Sequence, residues 1–357
     1  MTPQRFSMST LTITALIWGV LVSGQSAKKL PNVTIIATGG TIAGEAGTSV
    51  QSAYASGQVG VETLIKAVPT LSKIAKVTGE QISNVGSQDM SDDIWLKLAK
   101  RINELAKSPD VDGIAITHGT DTMEETAYFL HLVVKTGKPV VLTGSMRPSS
   151  ALSADGPLNI FNAVAIAGDP AAAGRGVLVT LNDQIHSAHD ITKTNTTSVE
   201  TFMSPFRGLI GTTSYGVNQY FRGPFMKHTI DSEFNVGSAT KLPRVDVLYI
   251  YEDMPGDLVD AAVNAGTQGI VIAGVGNGNM PQAVADALKR AAQKGIVVVR
   301  ASRVPTGYVR RNVEVDDDKL NFVAAEELNP PKARILLRLA LMKGNDPKEI
   351  QKLFNTY

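Results

Sequence analysis

From residue 29 to about 181 the chain repeats one unit: an apolar run of strand length, a loop, and an amphipathic helix. Nothing else in the sequence restricts the fold as strongly. A strand, a crossover helix and another strand make a parallel pair covered on one face, so successive units give a mostly parallel sheet covered on both. Strands are expected over 33–38, 77–84, 114–117, 140–143 and 176–181, and helices over 91–106, 123–136 and 157–167. Ser91 followed by Asp92 and Asp93 suits a helix start, because a hydroxyl oxygen accepts from a free backbone NH and acids favour the positive end of the helix dipole. The stretch 211–242 loses this rhythm and reads as the end of one domain plus a linker. A second α/β unit follows, with strands over 245–251, 269–273 and 296–300 and helices over 258–265, 281–293, 331–342 and 347–354. At 357 residues the chain is long enough for two domains. The expected division is 28–222, a linker 223–242, and 243–357.

Two threonine-centred loops sit where buried strands end. Ala37-Thr38-Gly39-Gly40-Thr41-Ile42-Ala43-Gly44 follows the first strand, and Thr117-His118-Gly119-Thr120-Asp121-Thr122 follows the third. In an open α/β sheet, ligands bind outside the carboxyl ends of the strands, so hydroxyls there face a ligand rather than the core. The loop from 44 to 60 has small and polar residues with almost no large apolar anchors, which suits a lid. Its Tyr54 reads equally as a site residue and as an ordinary exposed tyrosine.

Composition narrows the chemistry. With 19% charged residues and a formal net charge of +1, no basic field exists to gather nucleic acid. Cysteine is absent, which excludes disulfides, thiolate metal sites and a cysteine nucleophile, so a covalent catalyst is Ser, Thr, Lys or a carboxylate. The five histidines show no metal spacing with a further carboxylate ligand, and no metal site is expected. Residues 1–27 read as a signal peptide, with Arg5 ahead of the apolar run 11–22 and then Ser23-Gly24-Gln25-Ser26-Ala27. The alternative, a membrane span, needs ~20 apolar residues and this run is shorter.

Each motif also has a plainer reading. Gly39-Gly40-Thr41 lacks the Gly-Lys-Ser/Thr ending of a P-loop, and Asn279 stands where the dinucleotide fingerprint needs its last glycine, so neither loop supports a nucleotide site. Tight strand-to-helix turns account for these glycines equally well. Asp121, just before a helix, serves as a cap if taken alone. Lys193 is the one lysine in Ile191-Thr192-Lys193-Thr194-Asn195-Thr196-Thr197; alone it is a solvated cation, and beside Thr120 and Asp121 it becomes a proton acceptor or a positive anchor.

From about residue 30 to 357 the chain resembles the bacterial exported (type II) L-asparaginases. The resemblance rests on the two threonine loops, Gly86-Ser87-Gln88-Asp89-Met90, Ser145-Met146-Arg147-Pro148, Ser153-Ala154-Asp155-Gly156-Pro157, 192–197, 274–279, Ser302-Arg303-Val304-Pro305-Thr306-Gly307, Glu314-Val315-Asp316-Asp317 and Leu328-Asn329-Pro330. It implies a larger N-terminal domain with a mostly parallel, flavodoxin-like sheet and a smaller C-terminal α/β domain. It implies Thr41 as nucleophile assisted by Tyr54 and Glu314, and a second group of Thr120, Asp121 and Lys193. It further implies Ser87 on the substrate α-carboxylate, with Asp121, Gln88, Glu314 and Asn279 around the α-ammonium. Gly40, Gly86 and Gly119 complete the binding set. No cofactor or metal is implied. The implied ligands are L-asparagine, L-aspartate and, secondarily, L-glutamine, in a periplasmic or secreted homotetramer built as a pair of intimate dimers, with no membrane contact after processing. A dual glutaminase-asparaginase is the alternative within the class, and a periplasmic amino-acid-binding protein the alternative outside it. Tyr308, Arg310 and Arg311 depart from the small or polar residues of many relatives.

Overall fold

The structure, a computed structural model, describes residues 29–46, 54–55, 57 and 59–357. The expected leader and most of the expected lid lie outside the described residues. The chain runs β1 (Asn32–Gly39), a short ribbon of β2 (Glu45–Ala46) against β3 (Tyr54–Ala55), α1 (Val61–Lys66), β4 (Lys76–Val85), α2 (Asp92–Lys107), β5 (Gly113–Thr117), α3 (Met123–Val133), β6 (Val140–Thr143), α4 (Gly156–Ala167) and β7 (Val177–Leu181). The parallel strands lie in the order β4-β1-β5-β6-β7. This is the flavodoxin-like order, in which the winding direction reverses between the first and third strands of the set, here β1 and β5.

Beyond β7 the chain forms β8 (Gln184–Ser187), the pair β9 (Thr192–Lys193) and β10 (Phe202–Met203), then β11 (Gly211–Ser214) and β12 (Val217–Tyr220). β8, β11 and β12 extend the sheet antiparallel past β7. Two-residue turns at Asn182–Asp183 (φ 49° and 60°) and Tyr215–Gly216 (φ 49° and 82°) make these hairpins, because paired positive φ values match the strand twist. β11 and β12 thus occupy part of the stretch read as domain end and linker. α3 also stops at Val133, short of the expected 136: Lys135 N donates to Asn103 Oδ1 (2.7 Å) and its Nζ to the Thr229 and Ser232 carbonyls, drawing the chain off the helical path.

The second domain runs β13 (Val245–Tyr249), α5 (Asp257–Asn264), β14 (Gly269–Gly274), α6 (Gln282–Gln293), β15 (Val297–Ser302), α7 (Asp317–Leu320), β16 (Phe322–Ala324), α8 (Pro330–Leu341) and α9 (Pro347–Phe354). Its four strands are parallel in sequence order. Local chemistry sets the helix starts: Asn329 and Asp346 each accept from a first-turn NH, and Pro330 and Pro347 occupy positions whose own NH has no helical partner.

Successive side chains of the buried strands point to opposite sheet faces and build three apolar layers. Val33, Ile35, Ala115, Val141 and Leu178 meet α1 and α4 on one face of the large sheet. Ile36, Ile114, Ile116, Leu142 and Val179 on the other face join α2, α3, α8, α9 and the inner face of the second sheet in a continuous core. The outer face of the second sheet packs on α5 and α6 through Ile270, Ile272, Val298, Val259 and Leu288. Both domains therefore share the central layer. Arg338 of α8 donates to both oxygens of Asp92 at the start of α2 (2.7 Å each), and the Tyr128 hydroxyl of α3 donates to the main-chain oxygen of Tyr357 (3.2 Å).

Candidate active site

The carboxyl ends of β4, β1 and β5 are tied side by side at the reversal point. Thr38 Oγ1 donates to Thr117 O and Ser83 Oγ to Thr38 O, both at 2.9 Å. β1 ends in an irregularity between Ala37 and Gly39, and at Gly39 (φ 110°) a Cβ would lie 2.4 Å from Val85 O. Gly40 N then donates to that same oxygen (2.9 Å). Thr41 begins a single turn, Thr41–Ala43, and is buried. Chain on the far side of the 44–60 loop returns over this turn, with Gly57 N bonded to Gly40 O (3.2 Å) and Val59 N to Ala43 O (2.9 Å). Tyr54 pairs with Ala46 through its backbone, and its side chain lies outside the described residues.

The loop after β5 supplies the second group. Lys193 Nζ donates to Thr120 Oγ1 (3.0 Å) and to Asp121 Oδ1 (2.7 Å). Thr120 is buried and the Lys193 side chain 17% exposed, whereas the Asp121 side chain is 61% exposed, so the carboxylate is the accessible end of the group. The residue at the N-cap position of α3 is Thr122, one residue after Asp121, and its Oγ1 makes no capping bond but donates to Ser87 O (2.7 Å). Ser87, buried in the turn Ser87–Asp89, accepts from Asp121 N through Oγ (3.1 Å). Lys193 reaches the site because β9 pairs with β10 and because the buried ammonium of Lys332 in α8 holds the carbonyls of His189 and Ile191 just upstream.

Glycine lets these pieces meet. A Cβ at Gly40 would lie 2.3 Å from Gly119 N and Cα, and one at Gly119 would lie 2.7 Å from Ser87 Oγ. The Thr41 turn and the Thr120 loop therefore approach backbone to backbone, and the Ser87 side chain packs directly on the Gly119 backbone. A Cβ at Gly86 would lie 2.5 Å from the Gln88 amide, and Gln88 itself is exposed. Beneath the loop, His118 is fully buried and bonds Gly119 O through Nδ1 (2.7 Å); burial pushes its imidazole down to about 4, opposed by that bond. Sequence reading gave His118 and Thr122 no part, although both stand in the quoted loop.

Asn279 and Glu314 form a separate group in the second domain. Asn279 Nδ2 donates to the Glu314 carboxylate, and both line a surface cavity of about 510 Å³ with Gln282, Asp286 and Lys319. Its lining contains none of Thr41, Thr120, Asp121 or Lys193. Among the described residues no group of three or more His, Cys, Asp or Glu could hold a metal ion, and no helix is long and apolar enough to cross a membrane.

A reversal point lined by hydroxyls, a lysine and a carboxylate, on a large sheet backed by a smaller parallel one, defines a two-domain α/β enzyme. The family model described as Asparaginase, N-terminal, matches residues 32–224, and that described as Glutaminase/Asparaginase C-terminal domain matches residues 244–354. The chain belongs to the asparaginase family. It is 55% identical over 341 residues to the probable periplasmic L-asparaginase of Haemophilus influenzae, covering 96% of this chain and 97% of that protein. It is 53% identical to L-asparaginase 2 of Escherichia coli (96% and 98% covered) and 48% identical to the glutaminase-asparaginase of Pseudomonas fluorescens (93% and 92%). Among solved structures it is similar to a probable cytoplasmic L-asparaginase from Campylobacter jejuni, with a TM-score of 0.89, 46% identity, and 92% and 100% of the chains covered.

Proposed function

We propose that the protein is an L-asparagine amidohydrolase, converting L-asparagine and water to L-aspartate and ammonia through a Thr41 acyl-enzyme, with glutaminase side activity. The observation that carries this reading is Lys193 bridging Thr120 and Asp121 at the reversal point, with Gly119 against Gly40 beside Thr41. The Thr41 oxygen attacks the side-chain amide carbon, the C–N bond breaks, and ammonia leaves carrying the hydroxyl proton. Water then attacks the resulting ester, releasing L-aspartate and restoring the threonine. A hydroxyl needs a proton acceptor in reach, a role this reading gives to Tyr54 and Glu314. Lys193 polarises Thr120, and backbone NH groups near Thr120 hold the oxyanion.

Ser87 takes the α-carboxylate, and Asp121, Gln88, Glu314 and Asn279 surround the α-ammonium, while Gly40, Gly86 and Gly119 admit the ligand to the backbone. The cavity that Asn279 and Glu314 share contains no residue of the threonine groups. This supports supplying them from a neighbouring subunit, in a homotetramer of two intimate dimers. In the same reading residues 1–27 are a leader, 28–222 and 243–357 the domains, and the mature protein periplasmic or secreted. One methylene between the two amides discriminates by only ~1–3 kcal/mol, so glutamine turnover accompanies asparagine turnover.

The test is Thr41→Ala. It should keep the fold and L-aspartate binding, and lose at least the ~10²- to 10⁴-fold in kcat that positioned proton transfer alone supplies. Full ammonia release by that variant would overturn the assignment.

A further inference from the structure

Within the apolar run of β15, Arg300 is a charged residue that is only 1% exposed. All five of its NH groups have acceptors. Nε and Nη2 donate to the two oxygens of Asp317 (2.6 and 2.7 Å), Nη1 donates to the carbonyls of Asn277 (2.9 Å) and Gly278 (3.2 Å), and Nη2 donates also to Arg310 O (3.1 Å). The Asn277 and Gly278 carbonyls belong to the loop that ends in Asn279, and Arg310 to the loop that leads to Glu314. Asp317, fully buried, accepts in addition from Asn312 N (2.9 Å), two residues before Glu314. A direct tie runs beside this, from Arg310 N to Asn277 Oδ1 (2.9 Å). Gly278 (φ 72°) makes room, since a Cβ there would lie 3.2 Å from Arg300 Nη1 and 2.8 Å from Val309.

A buried ion pair is generally no more stabilising than apolar residues of the same volume, because desolvation offsets the attraction. What an apolar pair could not do is hold two loops in one register through three carbonyls. We infer that Arg300 is a positioning residue: it fixes the Asn279 loop against the Glu314 loop and so sets the amide–carboxylate pair that receives the substrate α-ammonium. This rests on the reading above that Asn279 and Glu314 face that ammonium. Lysine at position 300 keeps the charge but offers three donors from one nitrogen, so it leaves some of the five acceptors unmet.

The experiment compares inhibition by L-aspartate with inhibition by succinate, which is the same diacid without the amino group. In Arg300→Lys, L-aspartate should weaken by about tenfold or more, the scale of one charged hydrogen bond, and succinate should change little. Asn277→Ala removes only the side-chain tie at a half-buried position; it should show the same selectivity at a smaller size, and it decides the matter if the lysine variant does not fold. Glu314→Gln is the control for the underlying reading. If Glu314→Gln weakens L-aspartate selectively while neither other variant does, the positioning role is wrong and the reading stands. Equal weakening of both inhibitors would mean Arg300 only supports the fold. If Glu314→Gln itself shows no selectivity, the ammonium reading fails and the inference with it.

Discussion

Lys193 meets a hydroxyl and a carboxylate with one ammonium, and substitution separates the two contacts. Lys193→Met should lower kcat more than it raises KM, since the lysine is assigned to act on Thr120. Asp121→Ala should chiefly raise KM by removing an ammonium contact. Steady-state kinetics on asparagine checks both, and wild-type behaviour in the pair would leave the group a structural helix start. His118 makes a different prediction. Folded, its imidazole binds a proton only near pH 4; unfolded, it does so near 6.5. Between those values the unfolded chain holds more protons, so this group's stabilisation is complete above pH 6.5 and is lost as pH falls towards 4. At 1.36 kcal/mol per pH unit the whole window is worth about 3 kcal/mol. Urea unfolding at pH 7.5 and 5 should show a smaller acid loss in His118→Asn than in wild type, and equal losses would refute the assignment. At this scale the sequence displayed Thr41 and Thr120 plainly, because each ends a strand. Lys193 stood out as the one lysine of a hydroxyl-rich run, but whether it meets Thr120 and Asp121 was implied only by the family resemblance, since those partners are more than seventy residues away.

The strands that lead into the two threonine loops and the Ser87 turn are among those whose positions were readable, whereas β9, which carries Lys193, was not. β1, β5, β6 and β7 fall within about two residues of expectation, because a strand buried on both faces leaves a continuous apolar run bounded by turn residues, and the edge strand β4, none of whose residues is buried, falls as close. β8, β11 and β12 went unread as strands. Each has four residues, β11 buries only alternate side chains and β12 none fully, so their signal resided in the turns Asn182–Asp183 and Tyr215–Gly216. β16 has three residues and left no period to detect. The close approach of loops was also invisible, although its glycines were quoted. Gly40→Ala tests that approach: its φ of 84° and the 2.3 Å clash with Gly119 require the Thr41 turn to move. Activity should fall by ~10²-fold, since a displacement of about 1 Å costs that much where positioning matters, while circular dichroism stays near wild type. An unaffected kcat/KM would show that the two loops need not touch.

At the scale of the molecule, Asn279 and Glu314 stand apart from the threonine groups, and the proposal takes them from a second subunit. A Thr41→Ala chain and a Glu314→Ala chain should each be inactive. A mixed dimer has one site with both defects and one with neither, as an isologous two-fold interface requires. Random co-refolding should then restore about one site in four. No recovery despite demonstrated mixed dimers would show that each site is built within one chain. The second sheet was legible from its own strand and helix runs, but the shared central layer was not, because contacts between residues as distant as Tyr128 and Tyr357 leave no local pattern. That layer bears on how the protein is made. A chain emerging N-terminus first presents Ile116, Leu142 and Val179 before α8 and α9 exist to complete their cover. Until those last helices are synthesised, the first sheet has an incompletely covered apolar face, so the packing of the N-terminal half is completed only when the C-terminal end of the chain is made.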